Sequence, residues 1–331
     1  MSDKTGIEWT EATWNPVTGC SKVSQGCKHC YAERDWPRMQ HVPAYAGRKF
    51  TDVACHPDRL DIPLRWTKPR LIFVNSMSDL FHESVPDDFI DRVFAVMALA
   101  KQHTFQVLTK RPERMLAYLS DLGLRAELIG IEAEAIGGID RHTEDLKQRW
   151  PLPLQNVWLG VSVEDQKAAD ERIPLLLQTP AAVRWISAEP LLGPIDLRRS
   201  TGYPWIGGKF ADGRKFDGLL DWVVVGGESG NNARPMHPNW ARGLRDQCAA
   251  AEVPFLFKQW GEFANQKAAS LAIDDCMYLS KSGGWVEIDG TYSSGDQAAP
   301  INSDAAHVFR IGKKAAGRLL AGVEHNGYPT V

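Results

Sequence analysis

Short, near-continuous apolar runs recur along the chain, each followed by a turn and a stretch of helical spacing. The runs are Leu71–Asn75 (LIFVN), Thr104–Thr109 (TFQVLT), Val157–Val163 (VWLGVSV), Val183–Ser187 (VRWIS), Trp222–Val225 (WVVV) and Pro254–Lys258 (PFLFK). β-Branched and aromatic residues dominate them, as expected of parallel strands buried on both faces. A shorter strand is expected around Trp14–Thr18. Pro86–Gln102 opens on proline and acidic residues, then sets Phe89, Val93, Val96, Met97 and Ala100 at helical spacing. Helices are also expected over Tyr31–Gln40, Arg111–Ser120, Glu164–Gln178 and Pro238–Ala251. Strand and helix in alternation predict a parallel α/β sheet with right-handed crossovers. An open doubly wound sheet and a closed or partly closed barrel both satisfy that pattern.

Two insertions interrupt the alternation. Residues 122–153 carry the small-residue stretch IEAEAIGGID and a charged segment, Arg141–Trp150, expected to be helical. Residues 198–220 are rich in glycine and aromatics and read as a long loop. After Gly261 the pattern changes: YLSKSGGWVEIDGTYSSGD alternates and turns as a hairpin does, and a last helix is expected over Lys313–Ala321. The chain is therefore expected to divide into residues 1–261, holding the alternation, and a small α+β extension over 262–331.

Composition narrows the functional classes. With 44% apolar and 24% charged residues in 331, the chain reads as soluble and globular. A formal net charge of -3 provides no global basic field, so any nucleic-acid contact would rest on a local patch. The start, MSDKTGIEWTE, lacks an apolar signal region, and the longest apolar stretch, Val93–Ala100, is too short to cross a bilayer. A cytoplasmic location without membrane contact is expected.

Polar groups gather where the apolar runs end. Leu71–Asn75 leads to Ser76, Ser78 and Asp79; Thr104–Thr109 leads to Lys110 and Arg111. Val157–Val163 contains Ser162 and ends at Glu164; Val183–Ser187 leads to Glu189. Trp222–Val225 ends in Gly226-Gly227-Glu228-Ser229-Gly230, and the last run reaches Lys258 and Gln259. In parallel α/β folds the carboxyl ends of the strands share one rim, where ligands bind and chemistry occurs. Lys110, Glu189, Glu228 and Lys258 are the catalytic candidates on that ground. The Gly-Gly-Glu-Ser-Gly stretch lacks the spacing of a phosphate loop, and its glycines suit a tight turn better.

Six cysteines are too few for a disulfide scaffold, and three of them, Cys20, Cys27 and Cys30, fall within eleven residues. In a reducing compartment such a cluster points to metal. A structural zinc site would need a fourth ligand, with Cys55 or His82 as candidates and His29 too close to its neighbours. An iron–sulfur cluster on three thiolates would leave one iron open. Position on the expected rim favours the cluster. Cys55, Cys248 and Cys276 read as ordinary packed thiols.

These residues carry a resemblance. The stretch IEWTEATWNPVTGCSKVSQGCKHCYAE resembles the bacteriophage Gp37/Gp68 family (DUF5131). So do SMSDLFHE, VLTKRPERM, WLGVSVE, RWISAEPLLG, WVVVGGESG, FLFKQWGE and RIGKKAAGRLLAGVEHNGYP, nearly spanning the chain. More broadly, a three-cysteine loop after a first strand is similar to the radical S-adenosylmethionine superfamily. That resemblance implies a partial (β/α)6 TIM-like barrel and a [4Fe–4S] cluster on Cys20, Cys27 and Cys30. It implies S-adenosylmethionine on the open iron, an external electron donor, and a 5′-deoxyadenosyl radical that takes hydrogen from an unknown substrate. Ser76, Ser78 and Asp79, then Ser162, Glu164 and Glu189, match positions that meet this cofactor. Three features depart from the superfamily: six residues rather than three separate the first two cysteines, His29 stands where an aromatic is usual, and Gly-Gly-Glu follows a late strand. A zinc-stabilised nucleic-acid-binding protein, with tryptophans for stacking and Lys110/Arg111 and Arg198/Arg199 for phosphates, is the alternative. A radical enzyme acting on a nucleic-acid base would join the two readings.

Overall fold

The structure is a computed structural model that describes residues 5–138, 146–198, 205–209, 215–216, 219–265, 269–270, 282–295 and 300–330. The chain forms two compact units, each assembled from three stretches. The first comprises Met1–Val23, Ala32–Val161 and Pro174–Arg184; the second comprises Ser24–Tyr31, Ser162–Ile173 and Trp185–Val331.

In the first unit, strand β1 (Ala12–Trp14) is followed by the two-residue strands β2 (Val17–Thr18) and β3 (Ala54–Cys55), which pair antiparallel with each other. The strand expected around Trp14–Thr18 is thus divided, and only β1 joins the parallel set. That set continues with β4 (Leu71–Val74), β5 (Thr104–Thr109) and β6 (Val157–Ser162), in the order β1-β4-β5-β6. Ala12 stands opposite Ile72, Ile72 opposite Phe105, and Phe105 opposite Val157. All four positions are buried, which explains why these runs carry so little polar alternation.

The expected helix Tyr31–Gln40 is only α1 (Tyr31–Asp35), with a 3-10 turn over Trp36–Met39. Pro37 has no N–H to continue the ladder and disfavours helical backbone at Trp36. Helix α2 (Asp87–Leu99) and α3 (Pro112–Tyr118) fall where the spacing puts them. The stretch read as an insertion contains a sixteen-residue helix, α4 (Leu122–Gly137). Asp121 caps it by accepting from Leu124 N at 2.9 Å, and left-handed Gly138 ends it. Of the segment Arg141–Trp150, residues 141–145 lie outside the described ones, and α5 covers Leu146–Arg149. A buried polar group joins three of these helices: Asp91 of α2 accepts from Tyr118 Oη at 2.7 Å and from Arg125 of α4 at 3.1 Å.

In the second unit, residues Trp185–Ala188 of β7 (Val183–Ala188) pair parallel with β10 (Trp222–Gly226), and β10 with β11 (Phe255–Gln259), through Ala188 opposite Val225 and Val225 opposite Phe257. Between β7 and β10, β8 (Gly208–Lys209) and β9 (Lys215–Phe216) pair antiparallel. Helix α6 (Gln166–Gln178) follows β6, and the chain passes from the second unit to the first between Ile173 and Pro174 inside it. Helix α7 (Pro238–Ala251) has proline in its first turn and is capped by the His237 ring, which accepts from Asn239 N at 3.1 Å.

The residues expected as an extension belong to this second unit. They build an antiparallel sheet of β12 (Phe263–Asn265), β13 (Gly283–Val286), β14 (Tyr292–Ser294) and β15 (Ala306–Arg310), in the order β12-β15-β13-β14. The last expected helix stops early, spanning Lys313–Ala316, because Gly317 turns left-handed. No described helix is long and apolar enough to cross a membrane.

Candidate functional site

At the carboxyl end of β4 the chain turns sharply at Asn75, whose φ of 62° suits asparagine better than most side chains. The turn folds back on the segment after β1. Ser76 Oγ donates to Asn15 Oδ1 at 3.2 Å, and Ser78 Oγ donates to the Val17 carbonyl at 2.8 Å. Both hydroxyls expected at a cofactor therefore hold the turn together. Asp79 is buried and collects four donors: Phe81 N, Thr109 Oγ1, Lys110 N and Arg111 Nη1, at 2.7–3.2 Å. Its carboxylate welds the end of β4 to the end of β5. Lys110 contributes its backbone N–H to that weld.

Arg111, buried beside Asp79, also reaches Glu83 at 3.0 Å, Ser21 Oγ at 2.8 Å and Cys20 Sγ at 3.6 Å. Burial disfavours its charge, yet Asp79 and Cys20 opposite it leave its pKa above the usual guanidinium value.

In the second unit three carboxylates stand at strand ends, each with its own cation. Glu164, after β6, is buried and accepts from Arg172 at 2.9 Å. Arg172 also donates to the Ser162 carbonyl at 2.6 Å, while Ser162 Oγ donates to the Glu189 carbonyl at 3.3 Å. Glu189, after β7, receives Lys258 Nζ on both oxygens, at 2.7 and 2.9 Å. Glu228, after β10, accepts from Arg234 Nη2 at 2.6 Å, Arg234 Nε at 2.8 Å and Arg234 N at 2.8 Å. Burial would raise the Glu228 pKa, but the Arg234 and His29 bonds outweigh it and hold the carboxyl below its usual range.

The segment Ser24–Tyr31, which carries Cys27 and Cys30, is held by two of these carboxylates. Gly26 N donates to Glu164 Oε1 at 3.3 Å, and His29 Nδ1 lies 3.1 Å from Glu228 Oε2. A carboxylate only accepts, so His29 carries its proton on Nδ1. A Cβ on Gly26 would stand 3.0 Å from the Glu164 carboxyl, so a larger residue there would press on the side chain that holds the segment. Gly227 is constrained far more tightly, because a Cβ there would come within 1.9 Å of the Trp260 carbonyl oxygen. The glycines of Gly-Gly-Glu-Ser-Gly thus serve a tight backbone crossing. Arg172 and Arg234 are the functional neighbours that sequence alone did not single out, and His29, noted for standing where an aromatic is usual, was not read as a partner of Glu228. The contacts that hold the cysteine segment span 138 residues for Gly26 and Glu164 and 199 for His29 and Glu228, whereas Arg172 and Arg234 lie close in sequence to the carboxylates they neutralise.

Cys20, Cys27 and Cys30 are not in disulfides and are of intermediate exposure. They differ from Cys248, which is fully buried with its pKa pushed up to about 12 by burial. Burial, helped by Asp88, also pushes up the thiol of Cys55. Cys276 lies outside the described residues. In kind and number the three thiols fit a cluster that leaves one iron open. Cys20 belongs to the first unit, Cys27 and Cys30 to the second. Among the described residues no three His, Cys, Asp or Glu side chains stand grouped as metal ligands.

The Glu189–Lys258 pair retains 21% and 13% side-chain exposure, against 2% and 7% for Glu164 and Arg172. It is therefore the strand-end pair best placed to exchange its partner for a ligand's charge. Beside the cysteine segment, a pocket of about 480 Å³ is lined by Gln25, Asp165, Lys167, Arg234, Asp289 and Tyr292, among others. Its mixed charges suit a polar ligand with groups of both signs.

The family model described as "Protein of unknown function (DUF5131)" matches residues 4–329. No curated protein and no solved structure matches the chain.

Proposed function

The chain belongs to the DUF5131 family, and we propose that it is a radical S-adenosylmethionine enzyme acting on an unidentified substrate in a reducing, cytoplasmic setting. The observation that carries this reading is the anchoring of the cysteine segment. Gly26 and His29 bracket Cys27 and are each held on a buried carboxylate, and each carboxylate is fixed by its own arginine. A loop whose only task was to turn would not need two neutralised buried acids.

Cys20, Cys27 and Cys30 would hold a [4Fe–4S] cluster. With an external electron donor, it would supply one electron to S-adenosylmethionine, releasing methionine and a 5′-deoxyadenosyl radical that takes hydrogen from the substrate. The rest falls to the chain. Glu164 with Arg172, and Glu228 with Arg234, keep the segment carrying Cys27 and Cys30 in place. Glu189 and Lys258 offer opposite charges to the cofactor's amino and carboxylate groups. Arg111 sets a cation beside Cys20. The alternation of seven parallel strands with helices supports a partial (β/α)6 barrel as the frame.

Anaerobic purification should yield a brown protein with about four irons per chain, the content of a cubane cluster. Reduction with S-adenosylmethionine should release 5′-deoxyadenosine, and a variant with Cys20, Cys27 and Cys30 all replaced by alanine should release none. A colourless protein carrying one zinc per chain would overturn the reading in favour of a zinc-stabilised binding protein.

A further inference from the structure

Every tryptophan is buried except Trp66 and Trp285. Trp66 lies under the Arg70 guanidinium, 4.8 Å from its ring centre. Trp285 stands elsewhere, on β13 directly opposite His307 of β15, and the two rings stack at 4.6 Å with only 10° between their planes. Phe309, next along the same face of β15, meets His307 at 4.4 Å. Gly283, two residues before Trp285, makes room for these rings: a Cβ there would stand 2.9 Å from His307 Nε2 and 3.1 Å from Phe309.

Trp285 and His307 line a cleft of about 600 Å³ in the second unit. Asn239 and Arg242 of α7 also line it, as do Asn265, Ser270 and Asp304. Arg242 Nη1 donates to Asn239 Oδ1 at 2.9 Å, which orients both side chains. His237, at the same helix start, is committed to Asn239 N and the Asp304 carbonyl and is held neutral by burial. The cleft therefore combines an aromatic surface with amide and carboxylate groups suited to a heterocycle's edge, and one arginine.

We propose that this cleft binds a nucleotide unit, its base stacked on Trp285, its base edge met by the Asn239 and Asn265 amides, and its phosphate met by Arg242. Trp285 is half-buried, with His307 stacked on its ring, and stacking on an aromatic side chain accepts any base, because each base has a π-face. The site is independent of the cysteine-loop chemistry proposed above: it needs neither metal nor S-adenosylmethionine.

The test is calorimetric titration of the full chain with AMP, GMP, CMP and UMP, with a short single-stranded oligonucleotide in parallel and ribose 5-phosphate as control. Saturable binding of at least one mononucleotide is expected, weakened about tenfold or more by Trp285→Ala, in line with the usual worth of a stacked base. Trp285→Phe should retain most of the affinity, which separates stacking from misfolding. Arg242→Gln should weaken AMP but leave adenosine unchanged. Tighter binding of the oligonucleotide than of any mononucleotide would identify the source as a nucleic-acid strand and supports the same site. Absence of binding by every probe, equal affinity for ribose 5-phosphate, or indifference to Trp285→Ala in a folded variant would overturn it.

Discussion

Arg172 shows how much of the second unit hangs on one side chain. Its guanidinium neutralises the buried Glu164 and ties the Ser162 carbonyl at the end of β6, and Glu164 in turn holds Gly26. Removing one member of a buried ion pair strands the other without solvent, at about 3–5 kcal/mol, whereas replacing both costs much less. Arg172→Met should therefore lower unfolding stability in urea by about 3–5 kcal/mol, and adding Glu164→Gln should recover part of that loss. A double variant no more stable than the single one would show that the pair is not the source. Arg172 could not be read as Glu164's partner from sequence. It lies in a helix where solvated arginines are ordinary, and only the fold turns it inward.

Among the elements, the small ladder of β2 and β3 carries a pH dependence. His56, just after β3, lies 2.7 Å from Thr18 Oγ1 of β2, which also accepts from Arg48 Nη1 at 2.9 Å. The Arg48 cation on the same hydroxyl opposes a charged His56 ring beside it. Burial first, then the Arg59 and Arg48 cations, push the His56 pKa down to about 4 from an ordinary 6.5. Between those values the unfolded chain binds a proton that the folded chain refuses, so stability falls as pH drops from 6.5 towards 4. His56→Gln keeps a polar partner for Thr18 and should flatten that fall, measured as the urea midpoint against pH. An unchanged slope would remove His56 as its cause. The same scale shows what the chain's pattern discloses. Strands β4, β5, β6, β7, β10 and β11 were legible because burial on both faces leaves continuous apolar runs. Helix α4 was not, since its small and apolar residues are spread around the helix rather than along one stripe. Tyr31–Gln40 was overextended because its spacing outlasts the break that Pro37 imposes. The three cysteines were visible by spacing alone, but the carboxylates that hold their loop were recognisable only as strand-end residues, not as its anchors.

For the whole molecule, the division of the chain sets what can be separated. Each unit draws on three stretches, and the chain passes between units after Val23, Tyr31, Val161, Ile173 and Arg184. No single cut leaves both units whole. A fragment of residues 185–331 lacks Gly26, His29, Glu164 and Arg172, and with them the His29 contact of Glu228 and the pairing of Ser187 with Val163 N at 2.9 Å. Expressed alone, it should show no cooperative thermal transition and rapid proteolysis. A sharp calorimetric transition from that fragment would mean that the second unit does not depend on its two early stretches. The family match over residues 4–329 agrees with a chain that works as a whole.

The reach of the His29–Glu228 contact also has a consequence for the chain's birth. His29 leaves the ribosome 199 residues before its carboxylate partner exists. At about 5–20 residues per second that is a wait of roughly 10–40 s. Until Glu164 and then Glu228 are made, Cys27 and Cys30 travel on a segment that lacks its anchors, open to cellular oxidants and to whatever metal is at hand. Loading of these thiols is thus a race against translation, and slowing the ribosome would lengthen the time in which the wrong metal can win.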